Sequence, residues 1–197
     1  MKLYLSLLLF IATFSVNAQN YTVTKSVNIF GDSIQTYRDE RGEELRAIKK
    51  SKDIFGNKIE TVTGRNGETI SSVKESIDVF GNYIIEYRDG LNSVINTIKY
   101  GTDIFGNKTV TVTDADGNVI RSKKKSKDIF GNDIVEYING DEKIIVKNST
   151  DVFGNKIHTV TNGDGKVLHT VKKSKDVFGN EVTEFTGAGF DFTPTRF

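Results

Sequence analysis

One phrase, Asp-Ile/Val-Phe-Gly-Asn, recurs along the chain at Asp53-Ile54-Phe55-Gly56-Asn57, Asp78-Val79-Phe80-Gly81-Asn82, Asp103-Ile104-Phe105-Gly106-Asn107, Asp128-Ile129-Phe130-Gly131-Asn132, Asp151-Val152-Phe153-Gly154-Asn155 and Asp176-Val177-Phe178-Gly179-Asn180. A first copy, Asn28-Ile29-Phe30-Gly31-Asp32, carries the same phrase with its acid and amide exchanged. The copies stand 25 residues apart, with a single 23-residue step after Asp128. A fixed period of this size means one supersecondary unit copied in tandem. Residues present in every copy are expected to hold the repeat together rather than to catalyse.

Residues 51–75 serve as the type copy. Their β-branched residues, Ile54, Ile59, Thr61, Val62, Thr63, Thr69, Ile70 and Val73, form no helical stripe over two turns. Gly56-Asn57 between two such runs predicts a two-residue hairpin turn, and Gly64 to Gly67 a longer loop. The predicted register sets Phe55 against Lys58, Ile54 against Ile59 and Asp53 against Glu60. Around the second loop it sets Thr63 against Glu68, Val62 against Thr69 and Thr61 against Ile70. Ile54, Ile59, Thr61 and Ile70 then share one face, and Phe55, Val62 and Val73 the other. The three-residue gaps between apolar positions hint at a β-bulge that would break this register. The segment 68–80 reads as one long strand, pairing backward in its first half and forward in its second. Asp53 and Asn57 are expected to work as a pair, one receiving and one donating around the turn.

The fold class is therefore all-β: an elongated, twisted antiparallel array or spiral of seven hairpins, each relying on its neighbours to bury its Phe and Ile. About fourteen strands side by side would span about 65 Å, and sheets that wide curl, split or close. A fourteen-stranded membrane barrel is the rival, but the many Lys and Glu and the missing aromatic girdles fit it badly. The period is also doubled. Repeats one, three, five and seven carry Tyr37, Tyr87, Tyr137 and Phe185 where the even repeats carry Val62, Val112 and Val160. The alternation reads either as large-against-small packing or as an aromatic stripe recurring about every 19 Å along one surface, suited to a long ligand.

The ends depart from the repeat. Residues 1–18 read as a secretory signal: Lys2, an apolar run from Leu3 to Phe14, and Val16-Asn17-Ala18 before Gln19. Residues 19–25 form a short N-terminal segment, 26–186 the repeat domain, and 187–197 an aromatic tail with Phe190, Phe192 and Phe197 that either caps the array or docks onto a partner. Together these predict an exported bacterial protein of the periplasm or cell surface, with no transmembrane segment once the signal is removed.

Chemistry is sparse. With no Cys, there is no disulfide scaffold, thiolate site or Cys nucleophile. Lys and Arg number 27 against 26 Asp and Glu, so no basic field exists to attract nucleic acid. His158 and His169 are expected opposite each other but lack a third metal ligand. Asp114-Ala115-Asp116-Gly117-Asn118 resembles the opening of a calcium loop, yet its twelfth position is Lys125. Paired acids such as Asp53 and Glu60 read as solvated ladders. The expectation is a non-enzyme without cofactor or metal. Its structural residues are Phe30, Gly31, Asp53, Phe55, Gly56, Asn57, Phe80, Gly81, Phe105, Gly106, Phe130, Gly131, Phe153, Gly154, Phe178 and Gly179. Its candidate partner-binding residues are Tyr37, Tyr87, Tyr137, Phe190, Phe192 and Phe197.

The Asp-Ile-Phe-Gly-Asn copies, the signal-like leader, the length and the lack of Cys resemble a small exported repeat protein that plugs the outer-membrane translocon of the type 9 secretion system. They also bear some likeness to the YD-repeat shells of secreted toxins, without the Tyr-Asp phrase or the period. The first resemblance implies a non-catalytic subunit at the periplasmic mouth of a large pore, with a protein partner and a role in protein secretion. The runner-up is a glycan- or surface-binding adhesin using the aromatic stripe.

Overall fold

The computed structural model describes residues 20–187. The expected signal and most of the aromatic tail, with Phe190, Phe192 and Phe197, lie outside them. The described chain is one open sheet of fourteen antiparallel strands, each pairing with the next in chain order. β1 is Thr22–Val27, β2 Ser33–Arg38, β3 Glu44–Lys52, β4 Lys58–Thr63, β5 Thr69–Ile77, β6 Tyr83–Asp89 and β7 Val94–Thr102. β8 is Lys108–Asp114, β9 Val119–Lys127, β10 Asp133–Asn139, β11 Glu142–Thr150, β12 Lys156–Asn162, β13 Val167–Lys175 and β14 Glu181–Gly187. The all-β hairpin array is thus the observed fold. β1 pairs only with β2 and β14 only with β13, so the sheet does not close into a barrel.

The turn at each repeated phrase differs from the expected two-residue form. Asp53 N–H donates to Asn57 O at 3.0 Å, and Gly56 N–H donates to Asp53 O at 2.9 Å. The strands therefore end at Lys52 and Lys58, which face each other, and Ser51 faces Ile59. Ile54, Phe55 and Gly56 form a three-residue tip, a tight turn closed by a glycine in the left-handed region. The seven phrase glycines have φ between +79° and +86°. Phe55 does not face Lys58, nor Ile54 Ile59, nor Asp53 Glu60. Glu60 instead meets Lys50 at 3.0 Å. The expected register missed the Asp side chain, which favours the longer loop by accepting two backbone N–H groups across it.

Nothing lies within 4 Å of a Cβ built on Gly106, so only backbone strain opposes a side chain there. Gly106→Val is expected to cost about 1–2 kcal/mol in urea unfolding.

The second loop also shifts. Thr63 faces Thr69, Val62 faces Ser71 and Thr61 faces Ser72, with a bulge between Val62 and Thr63 that leaves Ile70 outside the pairing. Four further hairpins carry the same irregularity. The exception is β10–β11, joined by a two-residue turn with Gly140 at φ +56°. This hairpin accounts for the 23-residue step. β5 does not divide into a backward and a forward half, because Ser71 to Glu75 pair on both sides.

The register advances steadily. Lys58 faces Glu75, and Glu75 faces Ile85. The row climbs from the first residue after one tip to the third after the next, two residues per hairpin. With about 4.8 Å between strands and about 3.3 Å per residue, successive tips stand about 12 Å apart on a line oblique to the strands.

Among the described residues no second layer covers this sheet. Among the described residues, the buried apolar side chains are Ala47 and Val160. The expectation that neighbouring hairpins bury the repeated Phe and Ile is therefore corrected. Backbone ladders, cross-strand pairs and the tip networks hold the array instead.

Candidate functional site: an apolar rim

All seven repeated phrases lie on the same rim. Their Phe residues are 78% to 86% exposed, and the preceding Ile or Val residues 92% to 94%. Fourteen apolar side chains thus stand in a row at the hairpin tips.

The turn beneath each pair is tightly determined. Asp103 Oδ1 accepts the N–H groups of Phe105 and Asn107 at 2.9 Å each, and Asn107 Nδ2 donates to Asp103 Oδ2 at 3.0 Å. In the exchanged first copy, Asn28 Oδ1 accepts from Phe30 and Asp32, and Asn28 Nδ2 donates to Asp32 Oδ2. A third partner went unnoticed in the sequence. In copies two to six a lysine reaches back to the acid from the strand of the next hairpin: Lys74 to Asp53 at 3.0 Å, Lys99 to Asp78 at 2.9 Å, Lys124 to Asp103 at 2.8 Å, Lys147 to Asp128 at 2.7 Å and Lys172 to Asp151 at 3.2 Å. Lys49 does the same to Asp32 at 3.7 Å. The signal was available: each lysine stands four positions before the next phrase.

At Asp53, Asp78, Asp103, Asp128 and Asp151 these partners hold the carboxyl below the usual range. For Asp53 and Asp78 the leading cause is the Asn57 or Asn82 side chain, and for Asp103 and Asp128 it is Lys124 or Lys147. Asp151 is lowered to about 2, chiefly by Asn155.

The opposite rim shows what the turn itself requires. Asp39–Glu43, Asp114–Asn118 and Asn162–Lys166 close with the same pair of backbone bonds. Asp39 Oδ1 accepts from Arg41 and Glu43, and Asp114 Oδ1 from Asp116 and Asn118. Yet the two tip residues there are Glu40-Arg41, Ala115-Asp116 and Gly163-Asp164. The same loop folds over these polar tips, and at Asp89–Ser93 over Gly90-Leu91, where Leu91 is the one large apolar side chain exposed at a described tip of this rim. The Ile/Val-Phe pair is not needed by the turn, and it is confined to one rim.

The aromatic slot is a separate feature. Ladder partners place Tyr37, Tyr87, Tyr137 and Phe185 on one face, together with Val62, Val112 and Val160. The stagger offsets them: the row from Tyr83 through Tyr100, Val110 and Lys123 arrives at Tyr137, so Tyr137 is not level with Tyr87. Allowing for that slip, the aromatics recur about every 23 Å rather than 19 Å. Arg46 sits over the Tyr37 ring at 4.3 Å, and Lys123 lies 5.2 Å from the Tyr137 centroid. A hollow of about 550 Å³ on this face is lined by Tyr87, Asn96, Ile98, Tyr100, Val112 and Arg121.

His158 and His169 are not directly opposed. His158 faces Val171, His169 faces Val160, and the rings lie diagonally at 6.3 Å. His158 Nδ1 is 2.7 Å from Asn148 Oδ1. Among the described residues there is no group of three or more His, Cys, Asp or Glu placed to hold a metal ion. No helix among them is long and apolar enough to cross a membrane. No protein-family model matches the chain, and no curated protein is significantly similar to it.

Proposed function

We propose that this chain is an exported, non-catalytic binding subunit of a bacterial envelope complex, docking on a protein partner through its apolar rim. The observation that carries the reading is the contrast between rims. One builds its loops with mostly polar tips, Leu91 being its exposed apolar exception, while the other places seven exposed Phe residues on the same kind of loop. Exposed apolar surface of that extent marks an interaction site. The row's fixed pitch suits a long partner surface rather than a pocket. A seat at an outer-membrane pore, with a role in protein secretion, follows from the resemblance to the type 9 translocon plug. The test is affinity capture with the tagged protein from solubilised envelope. A large membrane protein should co-purify, and recovery of the bait alone would refute the assignment. Binding to lipid vesicles with no captured protein would give the rim to a membrane surface instead.

The aromatic face favours a second reading, a glycan-binding adhesin. If it holds, Tyr37→Ala, Tyr87→Ala and Tyr137→Ala together reduce polysaccharide retention at least about tenfold at unchanged melting temperature, since stacked rings each contribute about 0.5–1.5 kcal/mol. Unchanged retention on an affinity gel would remove it.

A further inference from the structure

The two open edges of the sheet match each other. Every residue of β1 and of β14 is exposed. Inside the array, one rule governs how the strand after a tip meets the strand before the next tip. The first residue after the phrase faces the residue three places before the following phrase. Ser33 faces Lys50, Lys58 faces Glu75, Tyr83 faces Tyr100, Lys108 faces Lys125, Asp133 faces Asn148 and Lys156 faces Lys173. All six internal junctions obey it.

We propose that β14 of one molecule pairs with β1 of a second copy by this same rule. β14 follows a tip and β1 precedes one, so the alternation of strand types and the antiparallel sense both continue. Glu181, first after the last phrase, then faces Lys25 of the second copy, three places before its first phrase. Val182 faces Thr24, Thr183 faces Val23, and Phe185 comes level with Tyr21. An acid meets a base and an aromatic meets an aromatic, both favourable cross-strand pairs. The outer ends of β1 and β14 meet on the polar rim, where an internal junction carries its loop, so the apolar tips keep their step across the joint. The contact is head-to-tail and uses different surfaces on the two copies, so it extends as an open array. It is independent of what the rim binds.

Sedimentation velocity of the purified protein over a concentration series reads this directly. The expected result is a ladder of concentration-dependent species. Lys25→Glu and Glu181→Lys each replace the Glu–Lys pair by like charges, and each weakens association about tenfold. Mixing the two variants restores complementary charges at every mixed junction and brings the ladder back, as does the double variant. Rescue by mixing excludes misfolding of either single variant as the cause. A monomer at every concentration, or a ladder indifferent to both charge reversals, overturns the proposal.

Discussion

Replacing Phe55, Phe80, Phe105 and Phe130 together by Ser removes partner capture while the chain stays folded. Burying a Phe side chain contributes about 1.5–3 kcal/mol. Even at half that value four of them exceed about 3 kcal/mol, more than a hundredfold in affinity. The four side chains lie at the tips, with exposure between 78% and 84%, so their loss opens no cavity. Serine is compatible with the loop, since the opposite rim closes the same bonds over Glu40-Arg41 and Ala115-Asp116. The control is Arg41→Ser with Asp116→Ser, which alters the polar rim and leaves capture unchanged. Affinity capture of both variants beside the parent, with circular dichroism to verify folding, decides the matter. Equal loss in both would detach binding from the apolar rim.

Acid is expected to melt the array over a narrow range. Asp53, Asp78, Asp103 and Asp128 are held far below the ordinary carboxyl value, Asp151 is lowered to about 2, and Asp114 and Asp176 are also lowered. In the unfolded chain these groups titrate near about 3.9. Their contribution is complete above that value. Below it the unfolded state takes up protons first, so stability falls as the pH drops toward the folded values. Near pH 3 unfolding binds most of a proton at each of Asp53, Asp78, Asp103, Asp128 and Asp151, and these contributions add. From pH 7 to pH 5 these carboxylates contribute no change, and only a shallow decline is expected there from His158, which burial and His169 lower; melting temperature should then fall steeply between pH 4 and pH 2. The loss reaches beyond single turns, because Lys74, Lys99, Lys124, Lys147 and Lys172 join each turn to the next hairpin through the same carboxylates. A melting temperature that holds level to pH 2 would show that the turn network contributes nothing.

The up-and-down strand order, the hairpin repeat and the reversals at the seven phrases were legible in the residues, because Gly and Asn punctuate β-branched runs at a nearly constant period, whereas the two-residue turn at Gly140-Asp141 was not read. The register was not. Gly56-Asn57 satisfies the rule for a two-residue turn, and only the Asp53 side chain, accepting from Phe55 and Asn57, selects the longer loop. That one difference moves Phe55 from a sheet face to a tip and reverses its meaning. Repeated apolar residues ordinarily mark a core, but a core needs a second layer and the described residues form none. The bulge signalled by the gap from Ile59 to Val62 was visible, and it lies between Val62 and Thr63. The doubled aromatic period left packing and a surface stripe both open; the ladder puts Tyr37, Tyr87, Tyr137 and Phe185 on one face together with Val62, Val112 and Val160, because an even number of residues separates equivalent slots from the pairs that fix them. Their spacing was missed, because stagger depends on the register. The lysines that reach back to each turn escaped notice, because their partners lie about twenty positions upstream and only the ladder brings them together.

The central claim is that the repeated Phe residues face outward for a partner and do not stabilise their own chain. Equilibrium urea unfolding of the parent and of the variant with Phe55, Phe80, Phe105 and Phe130 changed to Ser tests it most directly. The account predicts midpoints that differ by no more than surface substitutions allow, about 0.5 kcal/mol per site. A loss of about 3 kcal/mol or more per site, the cost of emptying a core position, would contradict it.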